Sequence, residues 1–119
     1  MRILGFSKKW DKLGGKTFTT FRFKRKDRDW EVGEAVQIIY KPRSKEREKL
    51  GVAIITQRVR RDLYRIGALD EEIIKDGFKD KYEMGDWLDK TYGDRWIREP
   101  MNKLTLRWIN EGIRSKENS

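Results

Sequence analysis

The chain has 119 residues, the length of a single domain, with a net charge of +9 and 41% charged residues. Cys and His are both absent, which excludes disulfides, zinc-thiolate sites, cysteine nucleophiles and histidine-based catalytic triads. Five Trp, four Tyr and five Phe argue against a disordered chain, because aromatic side chains bury large areas. No apolar run is long enough to span a membrane, so we expect a cytoplasmic protein. We also expect no metal and no cofactor. The high content of Lys, Arg and Glu is typical of thermophile proteins.

The first half of the chain predicts strands. "RILGF" (2–6) reads as a short apolar strand, followed by a brief helix through "KKWDKL" that ends at Gly14 or Gly15. Residues 16–25 read as a second strand, because Thr and Phe favour a pleated backbone. "AVQIIY" and "GVAIITQRVRR" predict two more strands, separated by the polar segment "KPRSKEREK".

The hydrophobic period changes in the second half. "LDEEIIKDGF" predicts a short helix that begins near Asp70 and ends at Gly77, and "YEMGDWLDKTYG" predicts a second helix. "LTLRWI" returns to strand alternation. The order predicts an α+β domain at 1–112, built as a small β-barrel of five to six strands with two to three short helices. We expect 113–119 to form a flexible tail.

Basic residues cluster at 22–28 and at 58–65. If the two strands are neighbours, their charges form one surface beside Lys16 that attracts a polyanion. RNA is favoured over duplex DNA, because neither predicted helix is basic enough to read a groove. Trp10, Trp30, Trp96 and Tyr92 could stack on bases, although a core poor in aliphatic residues needs most of them. The nucleic-acid-binding candidates are Lys16, Thr17, Arg22, Lys24, Arg25, Arg58, Arg60 and Arg61.

The order of short motifs resembles the ASCH domain, a branch of the PUA-like fold. The similar pieces are "GGK", "KTFTTFR", "EVGEAV", "GVAIITQRVRR", "DEEIIKDGF", "YGDRW" and "KLTLRWI", which together cover nearly the whole chain. The resemblance implies a PUA-like barrel that binds RNA. Some bacterial members of the family hydrolyse the amide of N(4)-acetylcytidine, and one group cleaves RNA.

The family motif places Glu or Thr three residues after a Lys, and an Arg two residues later. This chain has one extra residue between Lys16 and Arg22. Since residues two apart share a face of a strand, we match Lys16, Thr20 and Arg22, with a bulge near Phe18. Thr19 is the alternative to Thr20.

The resemblance implies that Thr20 is the nucleophile and Lys16 its base. A Lys acts as a base only where burial or a nearby cation lowers its pKa. Gly77 occupies the position of the family's catalytic Glu, and Asp76 is the adjacent carboxylate. Each residue also has a purely structural interpretation. Lys16 would be an exposed lysine at the end of a strand, and Thr20 would be present because threonine favours β-strands. Cleavage of RNA would need two carboxylates to hold a metal ion, or a general acid and a general base. The acidic residues in and beside the predicted helices do not have the spacing of metal ligands: Asp70, Glu71, Glu72, Asp76, Asp86 and Asp89.

Three functions therefore remain open from the sequence. The first is an RNA- or nucleotide-binding domain, with a basic cleft lined by Lys16, Thr17, Thr20, Arg22 and Asp76. The second is an amidohydrolase on acylated cytidine, and the third is a protein-interaction module whose basic surface meets an acidic partner. A monomer is favoured for all three.

Overall fold

A computed structural model of the protein describes residues 1–64 and 70–109. Its strands are β1 (Arg2–Phe6), β2 (Thr17–Arg22), β3 (Ala35–Tyr40), β4 (Glu48–Arg61) and β5 (Met101–Trp108). A 3-10 helix spans Asp11–Gly14, and the α-helices are α1 (Asp70–Lys75), α2 (Lys81–Tyr92) and α3 (Arg95–Arg98). The α+β class and the order of the predicted strands and longer helices are confirmed, whereas α3 was not predicted. The predicted tail and the boundary at 112 lie outside the described residues.

The strands form one mixed sheet in the order β1-β3-β4-β5-β2. β1 runs parallel to β3, and the other pairs are antiparallel. β4 begins earlier than predicted, because Glu48 and Lys49 pair with Tyr40 and Ile39 across the β3–β4 hairpin. The predicted bulge near Phe18 is wrong. β2 pairs with β5 in an unbroken register, and the irregularities lie at Ile38/Ile39 and Ile55/Gln57 instead.

Within the described residues the sheet is open rather than a closed barrel, since β1 pairs only with β3 and β2 only with β5. The two edge strands nevertheless approach each other through side chains. The rings of Phe6 and Phe18 lie 6.2 Å apart. Arg25 donates a hydrogen bond to the carbonyl of Ile3 at 3.0 Å. The sheet is therefore curled, and the contacts between its two edges are made by side chains.

One hydrophobic core packs against the sheet. All five strands and helices α1 and α2 contribute to it, through residues such as Leu4, Phe18, Val36, Ile55, Leu104, Ile73, Met84 and Leu88. Phe18 packs on Trp108 with ring centroids 5.2 Å apart. Aromatic rings thus fill the volume for which the sequence has too few aliphatic side chains.

The two longer helices have capped ends. Asp80 accepts hydrogen bonds from the backbone N–H groups of Tyr82 and Glu83 and so caps α2. α1 is followed by Gly77 at φ 108°, and the Phe78 N–H donates back to the carbonyl of Ile73. A Cβ at Gly77 would lie 2.7 Å from the ring of Trp10, so the chain requires glycine there. This close contact fixes Asp76 against the 3-10 helix. No helix in the described ranges is long and apolar enough to cross a membrane.

Candidate functional site

A cavity of about 190 Å³ lies between the two sheet edges, under α2. Gly5 and Phe6 of β1 form one wall, and Thr20 and Arg22 of β2 form another. The remaining lining includes the aromatic residues Trp10, Phe78, Trp87 and Tyr92. The incomplete closure of the sheet therefore creates a pocket with an apolar body and a few polar groups, the usual make-up of a ligand site.

Lys12 and Asp76 form a buried ion pair in this cavity. The Lys12 Nζ lies 3.0 Å from Asp76 Oδ1, and each side chain is only 7% exposed. The 3-10 helix supplies Lys12, and the turn after α1 supplies Asp76. Thr19 also donates a hydrogen bond to Asp76 Oδ1, at 3.4 Å. The Lys12 ammonium lies over the rings of Phe6 and Trp10, 5.6 Å and 5.4 Å from their centroids.

Burial shifts both members of this pair towards their neutral forms. It lowers the pKa of Lys12 despite the opposing attraction of Asp76, and the nearby Arg22 lowers it further. Burial raises the pKa of Asp76, although Lys12, Arg22 and Thr19 favour the carboxylate. An amine with a lowered pKa beside a carboxyl with a raised pKa is the arrangement expected of a general base and acid.

Thr20 and Arg22 lie on the same face of β2, as their spacing predicts. The Arg22 Nε donates to Thr20 Oγ1 at 3.2 Å, and the guanidinium stacks over Phe6 at 4.6 Å. Burial lowers the pKa of Arg22, but a guanidinium keeps its proton at neutral pH. Arg22 therefore holds a fixed positive charge beside the Thr20 hydroxyl. Thr19, the alternative to Thr20, is buried against Asp76.

A larger groove of about 840 Å³ adjoins the cavity and shares Gly5, Arg22 and Tyr92 with it. One acidic residue, Asp27, lines the groove. Seven basic residues line it, namely Arg22, Lys24, Arg25, Lys26, Arg43, Arg47 and Arg95. The groove is therefore strongly positive, and it borders the cavity at the shared residues.

Aromatic rings lie beneath the basic side chains of this groove. Trp30 is buried and donates its indole N–H to the Phe23 carbonyl at 3.1 Å. Phe23 packs edge-on against Tyr92, and Arg95 lies over the Phe23 ring at 4.1 Å. The groove thus combines cationic walls with a floor of aromatic side chains.

The structure brings together some of the residues chosen from the sequence. Thr20, Arg22 and Asp76 line the cavity, and Arg22, Lys24 and Arg25 line the groove. Lys16 and Thr17 are exposed and do not line the cavity. Lys12 therefore has the burial and carboxylate contact that the sequence analysis sought in Lys16.

The strands that carry the two basic clusters are not neighbours, because β5 separates β4 from β2. The second cluster nevertheless reaches Asp29, the residue that follows the first cluster. Arg58 and Arg60 form ion pairs with Asp29 at 3.0 Å and 2.9 Å, and Arg61 pairs with Glu72. Asp29 and Glu72 therefore offset only part of this charge, since Asp29 is shared by two arginines and Glu72 also pairs with Lys103. Arg65, at the end of this cluster, lies outside the described residues.

The candidates chosen from the sequence omit five cationic residues at these sites: Lys12, Lys26, Arg43, Arg47 and Arg95. Lys12 lies in the brief helix predicted for "KKWDKL", and the family motif matches Lys16 instead. Arg43 and Arg47 lie in a polar loop with no local signal of function. Pro42 of that loop packs at Gly5, where an added Cβ would lie 2.8 Å from the proline Cγ. This contact with β1 places the loop beside the groove.

Comparisons with known proteins found no matching family model, curated protein or solved structure. In residues 1–64 and 70–109, no group of acidic side chains is arranged to hold a metal ion.

Proposed function

We propose that this protein binds single-stranded RNA, with phosphates in the basic groove and one unstacked base in the cavity. The observation that carries the proposal is that the groove and the cavity are adjacent and share Gly5, Arg22 and Tyr92 as lining residues. Cationic walls contact phosphates, and aromatic rings favour bases. The curled sheet and the resemblance to the ASCH domain support an ASCH-type, PUA-like domain as the family.

The size of the cavity supports a single base as the inserted group. Its volume of about 190 Å³ is below the roughly 300–1,000 Å³ of pockets for drug-sized ligands, so one ring system suits it better than a whole nucleotide. An unpaired base offers its edge to hydrogen-bonding groups, which a base in a duplex does not. Thr20, Arg22 and Asp76 supply such groups.

Fluorescence anisotropy with a labelled RNA strand of about 10 nucleotides tests the proposal. We expect the single strand to bind more tightly than its duplex. Lys24→Gln/Lys26→Gln is expected to weaken binding, because it removes two groove charges. Lys90→Gln is the matched control, since Lys90 is exposed on α2 and does not line the groove. Equal loss in both variants, or preference for the duplex, would contradict the proposed groove.

A second function is favoured by the presence of Thr20 in the same cavity as the Lys12–Asp76 pair. We propose as an alternative that the site hydrolyses the amide of an N(4)-acetylcytidine-type substrate. Thr20 Oγ1 attacks the acetyl carbonyl while Lys12 takes its proton, and Asp76 gives a proton to the leaving amine. Water then releases acetate from Thr20. Lys12 takes the role that the sequence analysis gave to Lys16.

Release of acetate from N(4)-acetylcytidine tests this alternative. Thr20→Val and Lys12→Met are expected to abolish turnover. Thr17→Val and Lys16→Met should retain it, since both residues are exposed outside the cavity. Loss of turnover in Lys16→Met would instead support the assignment made from the sequence.

A further inference from the structure

Lys12 differs from the other lysines around the site in its surroundings. Its side chain is 7% exposed and lies over Phe6 and Trp10, whereas Lys16 and Lys24 are exposed. RNA binding, as proposed above, has no need of a buried amine, since exposed lysines bind phosphates equally well. A buried amine in a cavity that opens to solvent is suited instead to covalent chemistry.

The cavity has the features that make a lysine nucleophilic towards carbonyl carbons. Such lysines are activated by desolvation or by a second cation, because both disfavour the ammonium form. Lys12 has both, since aromatic rings surround it and Arg22 lines the same cavity. Burial and the Arg22 charge also lower the pKa of Lys12. Asp76, 3.0 Å away, can exchange a proton with any adduct on Lys12.

We propose that Lys12 forms a protonated imine with the open-chain aldehyde of an abasic nucleotide, in a single strand held by the basic groove. The inference rests on the proposed function for delivery of the strand. At an abasic position no base fills the cavity, so the sugar itself can enter. The aldehyde carbon of the abasic sugar is the carbon to which the base is attached in an intact nucleotide. It therefore points towards the space that a base would occupy.

The chemistry balances with the groups present. The Lys12 nitrogen attacks the aldehyde carbon, and one of its protons moves to the oxygen to form a carbinolamine. The Asp76 carboxyl then donates its proton to that hydroxyl, the C–O bond breaks, and water leaves. The products are a protonated imine on Lys12, an Asp76 carboxylate as its counter-ion, and one water molecule. No oxidant or further reactant is needed.

Reductive trapping tests the inference. The full chain is incubated with sodium cyanoborohydride and a DNA or RNA strand that carries one abasic residue, and the products are separated under denaturing conditions. A strand with a tetrahydrofuran residue at the same position is the control, since it has no aldehyde. We expect a covalent adduct with the aldehyde strands alone, and peptide mass mapping should locate it on Lys12.

Lys12→Arg keeps the charge beside Asp76 but lacks the primary amine, and we expect it to lose the adduct. Lys90→Arg, on the exposed side of α2, should form the adduct as the wild type does. Asp76→Asn is expected to slow adduct formation, because the carboxyl proton is missing. Since peptide mapping uses the wild-type protein, the result does not depend on whether Lys12→Arg folds.

The outcomes separate this inference from the function on which it rests. Binding of the intact strand without any adduct overturns the imine and leaves RNA binding standing. Adducts spread over exposed lysines also overturn it. Propanal serves as a small aldehyde that needs no groove. If propanal is trapped on Lys12 but neither intact nor abasic strands bind, the proposed function fails and the abasic substrate is overturned with it.

Discussion

Gly77 shows how one residue positions the site. Its φ of 108° lies in the region that favours glycine, and an added Cβ would meet Trp10 at 2.7 Å. Gly77→Ala is therefore expected to destabilise the protein by about 1–3 kcal/mol in urea unfolding. Gly85→Ala is the matched control. Gly85 lies within α2 with open space around it, so alanine there should be neutral or stabilising. Equal effects at both positions would show that the Trp10 contact is unimportant.

The Lys12–Asp76 pair makes a second prediction at the scale of residues. Lys12→Met leaves a buried carboxylate without its cation, and we expect a loss of about 3–5 kcal/mol in unfolding free energy. Lys12→Met/Asp76→Leu should recover much of that loss, because the unpaired charge is gone. A double variant as unstable as the single one would mean that packing, rather than charge, explains the effect. Urea unfolding of both variants measures this.

The same pair predicts a dependence on pH. Burial raises the pKa of Asp76 above its unfolded value, so near that pKa the folded state binds more protons than the unfolded chain. Stability from this group is therefore present at low pH and is lost as pH rises through the folded pKa. Removing Lys12 takes away the cation that opposes the shift. The destabilisation of Lys12→Met relative to wild type should shrink as the pH falls from neutral through the raised pKa of Asp76. A pH-independent difference would contradict a buried carboxylate.

At the scale of elements, α2 covers the cavity, and its start depends on Asp80. The Asp80 carboxylate accepts from two backbone N–H groups that would otherwise have no helical partner. Asp80→Ala is expected to cost about 1 kcal/mol, while Asp80→Ser should retain most of the stability. Amide exchange should accelerate in the first turn of α2 in the alanine variant. Unchanged exchange there would indicate that packing of Met84 and Leu88 alone holds the helix.

The loop between β3 and β4 is positioned by a contact with a strand that is distant in sequence. Its composition predicted a solvated turn, and most of it is exposed. Contact of Pro42 with β1 nevertheless brings Arg43 to the wall of the groove. The charge of this loop thus becomes part of the basic groove through a contact distant in sequence.

At the scale of the whole molecule, charge is unevenly distributed. Seven cations and one acid line the groove, whereas Arg58 and Arg60 are paired with Asp29. Single-stranded binding loses affinity with salt at a logarithmic slope of about −0.7 per phosphate contact. Roughly three to five contacts in the groove predict a slope of about −2 to −4. Lys24→Gln/Lys26→Gln should reduce its magnitude by about 1. A slope near zero in a salt titration would contradict phosphate contacts.

The sequence by itself determined the α+β class, the location of the predicted strands and longer helices, and the shared face of Thr20 and Arg22. These properties follow from local periodicity and from the caps of each element, which are encoded within a few residues. The sequence also restricted any chemistry to Lys, acids and hydroxyls, because Cys and His are absent.

Only the tertiary structure decided how the sheet ends and what lies between its two edges. Whether β1 and β2 pair depends on the curvature of the entire sheet, and no local pattern records it. Burial of Lys12 depends on contact with Asp76, which is 64 residues away in sequence. Which lysine is desolvated is therefore decided only when distant segments pack together, since desolvation is a property of the packed molecule.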